Sequence, residues 1–143
     1  MNIFKFFCKL NAKCAICIEL TKNRVYYRAW GFWPDVSVVP DYLAHVNEIL
    51  KYIRPNFTMV VDMSEIEPHP PEVEELRQQA QINTIKAGMA IAAEIISKDF
   101  VSGLQFDSMT DVTKFPKNKF FSYENAEKWL DEYITNLENQ KNT

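Results

Sequence analysis

Residues Phe57 to Leu76 read FTMVVDMSEIEPHPPEVEEL and contain the most informative pattern for the fold of this chain. Its first part, up to Asp62, is apolar without alternation, which predicts a strand buried on both faces. A proline-rich loop follows, and the glutamates after Pro71 suit the positive end of a helix dipole. In open α/β sheets, ligands and partners bind at the carboxyl ends of strands. We therefore expect any binding activity in the loop that follows Asp62.

The segments on either side of this stretch have patterns of strands and helices. The periodicities indicate, in order, a hairpin of strands at 14–20 and 24–32, a helix from 41, the buried strand at 57–62, a helix from 71 to about 86 that ends at Gly88, a strand at 89–95, a short helix after 97, an apolar piece at 119–121 and a final helix capped by Ser122. This order predicts a single α/β domain over residues 14–137, in which a mixed sheet of four to five strands packs against helices. Residues 138–143 form a polar tail that we expect to fray.

The amino-terminal residues 1–13 have the pattern of an amphipathic helix. Lysines lie on one stripe, opposite Ile3, Phe4, Phe7 and Leu10. Such a segment either docks its aromatic side chains on the domain or makes a peripheral contact with a membrane. Its apolar run is broken by Lys5 and Lys9, so it does not fit a signal peptide. No stretch is apolar enough over about 18 residues to predict a transmembrane segment.

Three cysteines, Cys8, Cys14 and Cys17, cannot all pair, and an odd number predicts reduced thiols in a cytoplasmic protein. Cys14 and Cys17 have the spacing of a redox motif, but they fall in an alternating stretch. Residues three apart on a strand point to opposite faces, so we expect no redox pair. We expect the domain to fold without a disulfide, a metal or a cofactor, because no four-ligand zinc set is present.

The net charge of −3 and the even spread of lysine and arginine predict no nucleic-acid partner. Candidate residues for a partner or ligand site are Asp62, Ser64, His69 and Glu72, which crowd into the loop. The plainer alternative is that Asp62 and Ser64 satisfy backbone groups of the turn while His69 and Glu72 face solvent. Nothing supports the geometry of a Ser–His–Asp triad, so we expect no catalytic activity.

The second strand of the hairpin and the loop after it carry more aromatic side chains than one strand needs. Core packing explains most of them. Tyr27, Trp30 and Trp33 are candidates for an aromatic binding surface, because tyrosine and tryptophan are favoured where one edge of the side chain is apolar and the other wet.

Three signatures, in this order, resemble the STAS superfamily, the fold of bacterial anti-anti-sigma factors, and more closely its STAS-like or CRAL-TRIO-like domains of unknown function. They are YRAWGF at 27–32, FTMVVDMS at 57–64 and NAEKWL at 125–130. In anti-anti-sigma factors an Asp-Ser pair opens the helix after the central strand, and its serine is phosphorylated. Here that place falls near Pro70 and Pro71, which have no hydroxyl. The resemblance therefore implies the fold without the phosphoserine switch.

Two functions remain open. The first is a non-catalytic STAS-like module that binds a partner protein or self-associates, for example as a dimer. The second is a carrier or sensor of a lipid or other small apolar molecule. A ligand-sized cavity would favour the carrier, whereas an exposed apolar patch without such a cavity would favour the interaction module.

Overall fold

A mixed six-stranded sheet forms the framework of the computed structural model, which describes residues 6–141. The elements are β1 (Phe6–Asn11), β2 (Cys14–Glu19), β3 (Arg24–Ala29), a short 3-10 helix (Val36–Val38), α1 (Tyr42–Leu50), β4 (Thr58–Asp62), α2 (Pro71–Lys86), β5 (Ile91–Ile95), α3 (Phe100–Thr113), β6 (Lys117–Phe120) and α4 (Tyr123–Lys141). The fold class is α/β, as the sequence predicts, but the sheet has six strands rather than four to five.

The strands lie side by side in chain order. β1, β2 and β3 form an antiparallel meander, and β3 to β6 run parallel. Each parallel connection steps to the next strand in the same direction, so right-handed crossovers put α1, α2 and α3 on one face. α4 follows the last strand and packs on the other face. Because the strand order never reverses, the sheet lacks the crevice in which open α/β sheets usually hold a ligand.

The larger core lies between the sheet and the helices α1 to α3. It contains the fully buried Trp33, Ile49 and Phe57. On the other face, Ala126 and Leu130 of α4 pack against β4 and β5. Helix α2 begins at Pro71 as predicted, and Gly88, with φ +101°, follows its last turn in the left-handed conformation that favours glycine.

The buried Arg24 ties α4 to the sheet. Its Nε donates to the hydroxyl of Thr58 at 2.8 Å. Its Nη1 reaches Glu127 at 2.8 Å and Asp131 at 2.9 Å. One guanidinium thus joins β3 and β4 to α4, and its charge is balanced by two carboxylates.

The prediction of a helix near the amino terminus was wrong over residues 6–11. These residues form β1, which pairs with β2 through the two-residue turn Ala12–Lys13. Phe7 packs against Tyr52, with ring centroids 5.2 Å apart. The domain therefore begins before residue 14, and Ile3, Phe4 and Lys5 lie outside the described residues. Pairing with β2 outweighed the helical pattern because it satisfies the backbone groups of β1 along its length.

The expectation that the polar tail frays was wrong over residues 138–141. Helix α4 continues to Lys141, so residues 138–141 are helical, and residues 142–143 lie outside the described part. None of the helices within residues 6–141 is long and apolar enough to cross a membrane.

The prediction of three reduced thiols was wrong as well. Cys8 and Cys17 are directly opposite each other in the β1–β2 ladder and form a disulfide. Cys14 is a buried free thiol. The prediction that Cys14 and Cys17 point to opposite faces is correct, and the missing information was the pairing of β1, which brings Cys8 to Cys17.

Candidate functional site

Asp62, the last residue of β4, organises the start of the loop at the carboxyl end of the sheet. Its Oδ1 accepts hydrogen bonds from the Ser64 backbone N–H at 2.9 Å and from the Ser64 hydroxyl at 2.6 Å. Its Oδ2 lies 3.6 Å from Arg28 Nε. Burial and the nearby Asp62 carboxylate raise the pKa of the Tyr123 hydroxyl. Both carboxylate oxygens of Asp62 therefore have partners within the protein, which indicates a structural role.

The rest of the loop is pinned to neighbouring elements. Gly31 pairs with it through the Gly31 N–H to Glu65 O bond at 2.9 Å and the Glu67 N–H to Gly31 O bond at 3.1 Å. Met63 N–H donates to Ile95 O at 2.9 Å, and Lys98 N–H donates to Ser64 O at 3.1 Å. These bonds extend the sheet beyond the ends of β3, β4 and β5. Backbone hydrogen bonds therefore join the loop to the segments that follow β3 and β5.

His69 is buried in the loop, contrary to the alternative in which it faces solvent; only 6% of its surface is exposed. Its ring packs edge-on against Trp33 at a centroid distance of 5.1 Å. Burial and the nearby charge of Arg77 lower its pKa to about 3. His69 is therefore a neutral core residue at physiological pH.

The candidate residues do not converge on one reactive point. The Ser64 hydroxyl donates to Asp62, His69 packs against Trp33, and Glu72 is exposed in the first turn of α2. Within residues 6–141, no three side chains of histidine, cysteine, aspartate or glutamate come together as a metal site. The arrangement provides shape and charge at this edge of the sheet.

The predicted aromatic surface was wrong for two of its three residues. Tyr27 and Trp33 are buried in the main core. The Tyr27 hydroxyl lies 2.7 Å from that of Tyr42, and the Trp33 indole donates to the Trp30 carbonyl at 3.0 Å. Trp30 is partly exposed and stacks with Arg28, whose guanidinium carbon is 4.9 Å from the indole centroid. The strand alternation sends Tyr27 toward α1, where its ring is covered.

A set of exposed apolar side chains that the sequence did not predict follows the carboxyl ends of β3, β5 and β6. We call this set the apolar edge; it consists of Phe32, Phe100, Val101, Leu104 and Phe121. Phe121 is 86% exposed and Phe100 is 79% exposed. They follow the adjacent ends of β6 and β5, where Ile96 N–H donates to Phe120 O at 3.0 Å. The helical pattern of α3 could not reveal this set, because α3 is apolar on both faces and buries the polar Ser102 and Thr110.

A small cavity lies in the interior of the described part of the chain, between the sheet and the helices. Its volume is about 30 Å³, and Tyr27, Tyr42 and Arg77 are among its lining residues. A cavity of this size has room for one or two water molecules. The larger concavities are open surface grooves, and one of 570 Å³ along α4 has only polar and charged residues in its lining.

Comparison of the chain with models of protein families, with curated proteins and with solved structures found no match.

Proposed function

We propose that this chain is a non-catalytic STAS-like interaction module that binds a partner protein through the apolar edge. The observation that carries the proposal is the exposure of Phe100 and Phe121, which follow the neighbouring strands β5 and β6. Exposed apolar patches on protein surfaces often serve as contact surfaces. The order of a hairpin followed by alternating helices and strands supports the STAS-like assignment.

The setting of the apolar edge suits a protein partner. Phe and other aromatic side chains are enriched in the buried centre of interfaces, and a polar rim surrounds them. Here the exposed Glu65, Glu67 and Glu72 and the exposed Lys98 provide such a rim in the adjoining loop. Lys98 and Glu65 form an ion pair with each other. A partner with an apolar centre and basic side chains around it would complement this surface.

The carrier of a lipid or other apolar molecule is the weaker proposal. Pockets that enclose small ligands usually measure about 300–1,000 Å³. The interior cavity measures about 30 Å³. A lipid would therefore require the core to open, and nothing in the packing of α1 to α3 favours such an opening.

A phosphoserine switch at the start of α2 has no chemical basis here. Pro71 is the first residue of the helix, and residues 67–73 contain no serine or threonine. The nearest hydroxyl, that of Ser64, is already bonded to Asp62. We therefore propose constitutive binding without phosphorylation of this helix start.

The experiment compares two variants of the tagged chain in its own cells. Phe100→Ser combined with Phe121→Ser removes the two most exposed rings of the apolar edge. Val112→Ser is the matched control, because Val112 is 66% exposed at the far end of α3. Both should change stability by less than about 0.5 kcal/mol, since exposed residues contribute little.

We expect the wild-type chain and Val112→Ser to co-purify with one partner in a fixed ratio, or to sediment as a dimer, and the double variant to lose that association. A photo-crosslinking residue at 121 should capture the same partner, and one at 112 should not. Equal association by the double variant and the control would refute the apolar edge as the interface.

A further inference from the structure

Arg77 is a permanently charged side chain inside the main core. It shares the buried stripe of α2 with Val73 and Ala80, and only 4% of its surface is exposed. A guanidinium does not lose its proton in a protein. A buried charge is therefore expected to be paired, because removal of an unpaired charge from water is very costly.

The contacts of Arg77 supply no negative charge. Its Nη2 lies 2.9 Å from the sulfur of Met63. Its guanidinium carbon lies 5.9 Å from the ring centroid of Trp33 and 5.7 Å from that of Phe106. Within residues 6–141, no carboxylate comes within 4.0 Å of it.

Arg24, a second buried arginine of this protein, has its charge paired with carboxylates. It is as deeply buried as Arg77, and two carboxylates lie within 2.9 Å of its Nη1. Arg77 has neutral sulfur and aromatic neighbours instead. Arg77 therefore has no carboxylate counter-charge within 4.0 Å among residues 6–141.

The acidic groups around Arg77 stay protonated. Burial raises the pKa of the Cys14 thiol to about 12. Burial also raises the pKa of the Tyr27 and Tyr42 hydroxyls, although the Arg77 charge opposes both shifts. None of these three groups is an anion at neutral pH.

The cavity of about 30 Å³ lies against Arg77. Its wall provides further donors. The hydroxyls of Tyr27 and Tyr42 lie 2.7 Å apart and share one hydrogen bond, so one of their two protons is not used in that bond. Gln81 also lines the cavity, and because its carbonyl accepts from the Thr113 hydroxyl at 2.6 Å, the amide N–H groups are the part of its side chain that can donate to a ligand. A cavity that holds one or two waters has room for a monoatomic anion and excludes a carboxylate metabolite.

We infer that this cavity binds a single halide ion, chloride under ordinary conditions, which pairs with Arg77 inside the fold. The site is separate from the apolar edge, and it does not depend on the proposed function. The halide accepts from the guanidinium, from a tyrosine hydroxyl and from the Gln81 amide. It binds only the folded state, so it stabilises the fold according to its concentration.

The test measures the midpoint of thermal unfolding in potassium chloride and in potassium gluconate mixtures at one ionic strength. Gluconate is too large for the cavity. Above the dissociation constant, each tenfold increase in chloride should raise the midpoint by about 3–6 °C. Crystals grown in bromide should show an anomalous peak in the cavity beside Arg77.

Variants separate this site from general salt effects. Arg77→Met should remove the chloride response, whereas Arg54→Met, at an exposed arginine, should keep it. Gln81→Leu retains Arg77 and should shift the response to higher chloride, which keeps the test valid if Arg77→Met fails to fold. The same midpoint in chloride and gluconate, or a bromide map without a peak in the cavity, would overturn the inference.

Discussion

The side-chain amide of Gln105 in α3 makes two hydrogen bonds to the backbone of His69. The His69 N–H donates to Gln105 Oε1 at 2.8 Å, and Gln105 Nε2 donates to the His69 carbonyl at 3.0 Å. This pair fixes the proline-rich loop against α3 and keeps the imidazole in the core. Among residues 6–141, the buried His69 Nε2 has no hydrogen-bond partner, so a second proton on this ring would be poorly accommodated.

The first prediction concerns acid sensitivity. Folding lowers the His69 pKa to about 3, whereas in the unfolded chain it is about 6.5. Between these values the unfolded chain binds one more proton than the folded chain, so stability falls as the pH falls through this window. From pH 7 to pH 4.5, the wild type should lose about 2–3 kcal/mol more than His69→Gln.

Urea titrations at the two pH values measure this difference. His45→Gln is the control, since His45 is only partly buried, and it should retain the wild-type acid sensitivity. If the wild type and His69→Gln lose the same free energy of unfolding between the two pH values, the conclusion that His69 is buried as a neutral imidazole is wrong.

The second prediction concerns Asp62. Its carboxylate accepts from the Ser64 N–H and hydroxyl and lies near Arg28. Hydrogen bonds to a charged group contribute about 1.5–3 kcal/mol each. Asp62→Ala should therefore lower the free energy of unfolding by about 1.5–3 kcal/mol. Glu67→Ala, in the exposed part of the same loop, should change it by less than about 0.5 kcal/mol.

Urea titrations of the wild type, Asp62→Ala and Glu67→Ala at neutral pH measure the free energy of unfolding of each. An Asp62→Ala effect as small as that of Glu67→Ala would mean that the carboxylate faces water and is available to a partner.

The third prediction concerns the disulfide between Cys8 and Cys17. It closes a short loop with a sequence separation of 9. In the chain-entropy model such a bridge stabilises the fold by about 2–3 kcal/mol. Reductant should lower the thermal midpoint of the wild type accordingly, whereas a metal chelator should leave it unchanged.

Two variants check the assignment of the bridge. Cys8→Ser should already have the lower midpoint and lose its response to reductant. Cys14→Ser should keep the response, because Cys14 is not in the bridge. Coincident melts of the wild type with and without reductant would show that the bridge contributes no stability.

Local patterns in the chain were sufficient for the elements around the loop. Pro71 predicted the start of α2 because its fixed φ and missing N–H suit a first helical turn. Gly88 predicted its end because the chain there needs a positive φ. Asp62 was expected to bond loop amides, and it does so with Ser64.

The candidate site was less predictable because burial depends on distant elements. His69 looked exposed between two prolines, but Trp33 and Gln105 enclose it from elsewhere in the chain. Arg77 had a local signal, since it lies on the buried stripe of α2. That signal identifies a buried charge but not the cavity beside it.

Local sequence patterns were enough to predict the α/β class, the central strand that ends at Asp62 and the proline start of α2, because each follows from interactions within a few residues. The edge strand at residues 6–11, the pairing of Cys8 with Cys17 and the exposure of Phe100 and Phe121 followed only from the three-dimensional fold. Those outcomes depend on strand pairing and on which helix face the sheet covers. Both are non-local, and no short window of sequence contains them.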